Sequence, residues 1–288
     1  MSTRLPVFRF ASDLRKAVLQ WRRSGKRIAL VPTMGGIHEG HLALVRLAKK
    51  HASRVVVSVF VNPTQFAPHE DYNSYPRNEE RDWRKLLSAG PDAMYAPEVD
   101  EIYPHDFATR VEVAGVTQTL EGISRPHFFS GVTTVISKLF LQCLPDVAIF
   151  GEKDYQQLLV VKRMVKDLNF PITIIPGPIV READGLALSS RNVYLDAGER
   201  GLAPLLNAVL VDVAADLSSG RHIQDSLSQG VARLEGSGFK IDYFELRDAE
   251  TLMPVESLGA TPARLLAAVY LGRVRLIDNV AVVPPAKH

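Results

Sequence analysis

Two histidines three positions apart, His38 and His41, follow a glycine pair, Gly35 and Gly36, shortly after the apolar run Ile28 to Val31. An imidazole can hold, give or take a proton near neutral pH, and glycines let a backbone come close to a phosphate. From Leu42 to His51 apolar residues recur at helical spacing, and Val55 to Val61 reads as a buried strand. Strand, glycine turn, helix, strand is the crossover unit of a parallel sheet. It puts the turn at the carboxyl end of its strand, where open α/β sheets bind ligands. The helix start there offers free N–H groups and the positive end of a dipole. No lysine follows the glycines, so this is not a Walker loop. The core His38-Glu39-Gly40-His41 puts imidazoles where a phosphate lysine would stand, which suits reaction at a phosphate and not merely its binding.

Residue type alone leaves alternatives. A histidine at a helix start is more often a solvated cap than a catalyst. Zinc is poorly served, because His38 and His41 are at i and i+3, not i and i+4, and Cys143 is the single cysteine. The whole context of strand, glycines, helix and strand favours the phosphate reading. Gly151-Glu152-Lys153-Asp154 repeats that context after the strand Val147–Phe150. Lys153 can reach a phosphate as a point charge and Asp154 can accept from a ribose diol, although an ordinary capped helix fits the same string. Leu188-Ser189-Ser190-Arg191-Asn192 offers two hydroxyls and a guanidinium fork to an oxyanion. Asp184-Gly185 before it makes a loop that can move, and a Ser/Asn-rich turn is the alternative. Asn62-Pro63-Thr64-Gln65 leaves the second strand, so Gln65 overhangs the same carboxyl edge. Gln156 and Gln157 open the helix after Lys153. Uncharged amides suit a small polar substrate, and a structural role equally well.

These residues must be held by a fold of some size. At 288 residues and 46% hydrophobic, the chain can bury a large core and divide into one large or two modest domains. Strand-like and helical runs alternate for about 180 residues, with helices at Asn78–Ala89, Thr133–Leu144 (N-cap near Ser130 or Gly131) and Tyr155–Leu168, and strands at Ala93–Ala96 and Ile172–Ile175. That rhythm predicts an α/β fold, a Rossmann-like doubly wound parallel sheet. From Asp196 a helical pattern runs to Leu217 and another over Ile223–Leu234. Strands at Lys240–Leu246, Leu265–Leu271 and Val274–Ile277 follow, which predicts a smaller C-terminal α+β domain. The expected division is 1–180 and 181–288. With 34 basic and 32 acidic residues interspersed, no basic tract is available to follow nucleic acid. No apolar stretch reads as a membrane span and Met1-Ser-Thr-Arg leads into no signal peptide, so a cytoplasmic protein is expected. Cys143 in its apolar segment reads as a buried, inert thiol.

The chain resembles the pantothenate synthetase family, the pantoate–β-alanine ligases. The likeness rests on Pro32-Thr-Met-Gly-Gly-Ile-His-Glu-Gly-His, Phe60-Val-Asn-Pro-Thr-Gln-Phe, Tyr75-Pro-Arg, Gly151-Glu-Lys-Asp-Tyr-Gln-Gln-Leu and Val180-Arg-Glu-Ala-Asp-Gly-Leu-Ala-Leu-Ser-Ser-Arg-Asn, in the family's order and spacing. The resemblance implies a two-step reaction dependent on ATP and Mg²⁺, in which pantoate is adenylylated and β-alanine then displaces AMP. It implies ATP contacts from Met34, Gly35, Gly36, Ile37, His38, Glu39, Gly40 and His41, with His41 as proton donor. Gly151, Glu152, Lys153 and Asp154, and Val180 with Leu188, Ser189, Ser190 and Arg191, are the further ATP segments it implies. His38 and Lys153 join His41 as the catalytic set. Gln65 and Gln157 fall at positions that hold pantoate, Gln65 also near β-alanine. The family is typically a homodimer. No protein ligand for Mg²⁺ is assigned, and Asp82 is the candidate for an outer-shell contact.

One departure stands out. Arg125-Pro-His-Phe-Phe-Ser-Gly-Val has its histidine one position earlier than the family's usual Arg-Pro-x-His-Phe-x-Gly-Val, so Phe128 stands where histidine is usual. No histidine role is carried to His127 or Phe128. Rival readings weigh less. A transferase acting on a phosphorylated acceptor would want Arg and Lys where Gln65 and Gln157 stand. An aminoacyl-tRNA synthetase would need a lysine-rich second loop and an RNA-binding domain. A nucleotide sensor without turnover would not need both histidines, Lys153 and Arg191.

Overall fold

In the computed structural model, which describes residues 5–68, 70–259 and 261–283, the apolar runs of the first half form one sheet. Its strands are β1 (Val7–Phe8), β2 (Ile28–Thr33), β3 (Arg54–Val59), β4 (Ala93–Tyr95), β5 (Val147–Gly151) and β6 (Thr173–Gly177). They lie in the order β1-β4-β3-β2-β5-β6, each neighbouring pair parallel. The two residues of β1 are too few to carry a period, and the sequence reading contains no such strand.

Alternation along each strand feeds two cores. Ile28, Leu30, Val56, Ala148 and Phe150 join one cluster with Leu14 and Val18 of α1 (Ala11–Arg23). After α2 (Glu39–His51), α3 (Glu79–Ala89), α4 (Val99–Ile102) and α5 (Glu121–Ser124) come α6 (Phe128–Cys143) and α7 (Tyr155–Asp167). Val132, Leu139 and Phe140 of α6 and Leu158 and Met164 of α7 complete that cluster. Ala29, Val31, Val55, Val57 and Ile149 face the other way, toward Val45 of α2 and Leu86 of α3. Helices on both faces make the sheet doubly wound, as expected. Cys143 is buried in the first core, its thiol pushed up to about 12 by burial.

The chain leaves β2 toward β3 and β4, then returns to place β5 on the opposite side of β2. Strand order reverses there, so the carboxyl ends of β2 and β5 flank the crevice where such sheets take ligands. Asp146, just before β5, fixes that central register. It accepts the Ile28 N–H at 2.7 Å and pairs with Arg22 at 3.0 Å.

Helix α6 begins at Phe128, not Thr133, a correction with a clear cause. Gly131 is a contact point and not a cap: a Cβ there would lie 2.4 Å from the Thr64 carbonyl oxygen. The glycine exists so that the loop after β3 can touch the helix.

The chain divides into two units. One takes residues up to Glu152 with Gln156–Pro178; the other takes Lys153–Tyr155 and the chain from Ile179. The second unit has helices α8 (Ala197–Leu202), α9 (Leu205–Ser218) and α10 (Ile223–Glu235), then strands β7 (Lys240–Asp248), β8 (Ala263–Leu271) and β9 (Val274–Val282). The strands form an antiparallel sheet in chain order. Leu206, Val209, Leu210 and Leu217 of α9 pack with Phe244, Leu265, Val269 and Leu276. The single helix expected over Asp196–Leu217 is broken at Ala203-Pro204, since proline cannot donate within a helix. Taken together, α8 and α9 (Ala197–Ser218) are long and apolar enough to cross a membrane by length and composition, with mean hydropathy 1.4 over the most apolar 18 residues. Their buried leucines and valines belong to the second core, which is what gives them that composition.

Candidate active site

Gly35 and Gly36 follow β2 with φ of +84° and +61°, left-handed values that a side chain resists. Asp82, in the first turn of α3, holds the turn from below. Its Oδ2 accepts the Gly36 N–H at 2.9 Å and its Oδ1 the Ile37 N–H at 2.8 Å. A Cβ on Gly35 would sit 3.0 Å from the same Oδ2. Burial pushes the Asp82 carboxyl up, outweighing those two N–H bonds and the nearby Lys85 and Arg81. Asp82 is thus a brace for the glycine turn, each of its oxygens accepting one backbone N–H. The Lys85 ammonium donates to the Ile37 carbonyl.

His38 is the N-cap of α2, with extended backbone (φ −135°, ψ 176°), and His41 is its third residue. The His38 N–H donates to His41 Nδ1 at 3.3 Å, and the two rings lie 4.0 Å apart at 38°. A neutral imidazole whose Nδ1 accepts carries its proton on Nε2. The capping bond therefore fixes His41 as a donor through Nε2, at a helix start. Met34, Ile37, Glu39 and Gly40 are the remaining members of this turn and first helical residues.

The loop after β3 is a 3-10 turn, Pro63–Gln65, capped by Asn62. Asn62 Nδ2 donates to Gln65 Oε1 at 2.9 Å and to the Gly131 carbonyl at 3.1 Å, and Tyr103 donates to Asn62 Oδ1 at 2.8 Å. With its oxygen taken, the buried Gln65 amide presents Nε2 as a donor. Arg125 fastens the same turn. It donates to the Gln65 carbonyl at 2.9 Å, pairs with Glu70 at 2.6 Å and Glu121 at 3.0 Å, and lies 4.0 Å over the Phe128 ring. Phe128, the altered position, is a platform for that guanidinium; His127 is exposed at the N-cap of α6. Asn62 and Arg125 lie within strings quoted for the resemblance, but neither string says what they hold, and Tyr103 lies in none of them.

The two adjacent glutamines separate. Gln156 is buried and fully engaged: it accepts the Glu121 N–H at 3.1 Å and donates to the Val116 and Thr119 carbonyls, each at 2.8 Å. It pins a loop. Gln157 is half-buried one residue on.

In the second unit, Lys153 and Asp154 form a 3-10 turn with Glu152 directly after Gly151, and the Lys153 ammonium lies 3.6 Å from Asp154. Val180 and Leu188 are joined by a short hairpin. The Leu188 N–H donates to the Val180 carbonyl at 3.0 Å, and Arg181 and Ala187 bridge. The hairpin brings together two residues eight positions apart that the resemblance assigns to one nucleotide. Asp184-Gly185, read from sequence as a loop free to move, is the hairpin's turn and is tied to Arg200 at 2.6 Å. Ser189 Oγ accepts the Arg191 N–H at 3.2 Å and so caps the 3-10 turn Ser190–Tyr194. Among the described residues no group of three or more His, Cys, Asp or Glu gathers to hold a metal ion.

A family model for pantoate-beta-alanine ligases matches residues 6–281 of this chain. The chain belongs to the pantoate–β-alanine ligase family. It is 55% identical over 277 residues to the pantothenate synthetase of Nitrobacter winogradskyi, covering 96% of this chain and 98% of that one. The crystal structure of pantothenate synthetase from Thermus thermophilus matches with a TM-score of 0.92 at 46% identity, over 97% of this chain and 100% of that one. The pantoate–β-alanine ligase of Francisella tularensis, solved with beta-gamma ATP and beta-alanine, matches with a TM-score of 0.80 at 32% identity, over 96% of this chain and 97% of the other. As a member of this family the protein is an enzyme, a ligase.

Proposed function

We propose that this ligase condenses (R)-pantoate with β-alanine to pantothenate, using ATP and passing through a pantoyl adenylate. A carboxylate and an amine do not condense at neutral pH until the carboxylate carries a good leaving group. A pantoate carboxylate oxygen attacks the α-phosphorus and pyrophosphate departs; the β-alanine amine then attacks the acyl carbon and AMP departs. The observation that carries this reading is the His38–His41 capping bond after β2, which leaves Nε2 as the proton-bearing nitrogen of a histidine at a helix start. Donors fixed in advance toward developing phosphate charge supply most of the catalysis in such transfers.

In this reading Met34 to His41 take the triphosphate on backbone N–H groups and the two imidazoles. Lys153 and Arg191, with Ser189 and Ser190, hold the departing pyrophosphate. Gly151, Glu152, Asp154, Val180 and Leu188 serve the nucleoside. The Gln65 and Gln157 amides take pantoate, Gln65 donating through Nε2. Mg²⁺ comes as the counter-ion of the substrate triphosphate, keeping most of its waters. Residues 1–180 act as the nucleotide- and pantoate-binding domain, residues 181–288 as the smaller domain, in a cytoplasmic homodimer.

Reversibility of the first step provides the test. Labelled pyrophosphate should exchange into ATP when pantoate is present and β-alanine absent, with no tRNA required. No exchange, with ATP and pantoate shown to bind, overturns the acyl-adenylate route.

A further inference from the structure

Strand β9 carries two adjacent polar residues, Asp278 and Asn279, only 3% and 2% exposed. Burying a carboxylate and an amide is unfavourable unless each is hydrogen-bonded, and a buried ion pair is rarely better for stability than apolar packing. What such groups supply is position. Asp278 grips Arg181 with both oxygens, at 2.6 and 2.9 Å, and accepts the Asn279 N–H at 2.7 Å. Asn279 donates through Nδ2 to the Lys153 carbonyl at 3.0 Å and accepts from Arg264 Nε at 2.7 Å.

Each partner belongs to a different segment. Arg181 lies within the hairpin from Val180 to Leu188 and donates to the Gly185 carbonyl at 3.1 Å. That hairpin runs into Ser189–Arg191, and the turn Ser190–Tyr194 packs against β9 itself. Arg264 in turn lies 4.3 Å over the Tyr155 ring, whose hydroxyl donates to the Ala249 carbonyl at 2.8 Å. Successive strand residues point to opposite faces, so one strand holds two separate segments by two consecutive side chains.

We propose that Asp278 and Asn279 are positioning residues that set Lys153 and the Ser189–Arg191 turn for handling phosphate. Asn279 fixes the Lys153 backbone directly; Asp278 fixes the hairpin through Arg181. The proposal rests on the assignment of both segments to ATP made above.

The sharpest variant is Asn279→Asp, which keeps an oxygen for Arg264 and loses the donor to Lys153. Asp278→Asn is the companion, weakening the grip on Arg181 at nearly constant volume. Both are measured in the full-length enzyme for thermal unfolding, pyrophosphate exchange, and separate KM values for ATP and pantoate. The expected result is a folded protein with exchange reduced about 10- to 100-fold, as for misplaced groups near reacting atoms. KM for ATP should rise and KM for pantoate stay unchanged. Equal rises in both KM values, unchanged exchange, or failure of both variants to fold overturns the proposal. Wild-type enzyme without exchange, with ATP and pantoate bound, overturns the acyl-adenylate route, and this proposal with it; normal wild-type exchange beside unaffected variants overturns this proposal alone.

Discussion

The Nδ1 atom of His41 accepts the backbone N–H of His38, so the bond that starts helix α2 also decides which nitrogen of His41 bears the proton. Capping and catalysis can be separated by substitution. In His41→Asn the amide oxygen can still accept the His38 N–H, but nothing reaches the Nε2 position. Thermal stability should hold, while kcat falls about 100- to 1000-fold, the usual loss of one preorganised donor. Activity near wild type in a folded His41→Asn enzyme would remove His41 from the chemistry.

Gln156 and Gln157 should part company in a pair of alanine variants. Gln156→Ala strands the Glu121 N–H and the Val116 and Thr119 carbonyls. Orphaned buried groups cost about 1–3 kcal/mol each, so chemical denaturation should show a loss of several kcal/mol. Gln157→Ala should leave the denaturation midpoint in place and raise KM for pantoate with little change for ATP. The reverse pattern would exchange their roles.

Asp82 should give opposite pH signs for stability and activity. Its carboxyl is held above the usual carboxylate range by burial. Between that usual range and the raised value, the native protein binds a proton that the unfolded chain does not. This group's contribution to stability therefore grows as pH falls through that window. Protonation also takes an acceptor from the Gly36 and Ile37 N–H groups, so activity should decline over the same interval. In Asp82→Asn that acid limb should vanish and activity be low throughout. An unchanged pH–rate profile in a folded Asp82→Asn enzyme would show that the brace is not needed.

Much of this was legible in the residues because the signals are local. The Ile28–Val31 run, the glycine pair and the period of Leu42–His51 define strand, turn and helix within one window. The doubly wound sheet and the antiparallel C-terminal strands follow from such windows in series. What escaped depends on distance along the chain. Asp82 is 46 residues from Gly36, Arg181 is 97 from Asp278, and Lys153 is 126 from Asn279. No periodicity connects them, and each alone reads as an ordinary surface charge or turn amide. Gly131 misled for a related reason: its contact, the Thr64 carbonyl, belongs to another element. Pro204 was visible, yet the apolar period across it was strong enough to read as one helix.

The order of strands has a consequence for synthesis on the ribosome. Strand β2 can pair with β3 almost as soon as both emerge, but its other edge belongs to β5, whose first residue is Val147. At ~5–20 residues per second, that edge waits on the order of ten seconds for its partner. Throughout that interval Ile28–Val31 is an apolar strand with unmatched N–H and C=O groups, the kind of template that recruits foreign strands. The nascent chain is thus most exposed to mispairing and to chaperone capture before Asp146 arrives to lock Ile28 in register.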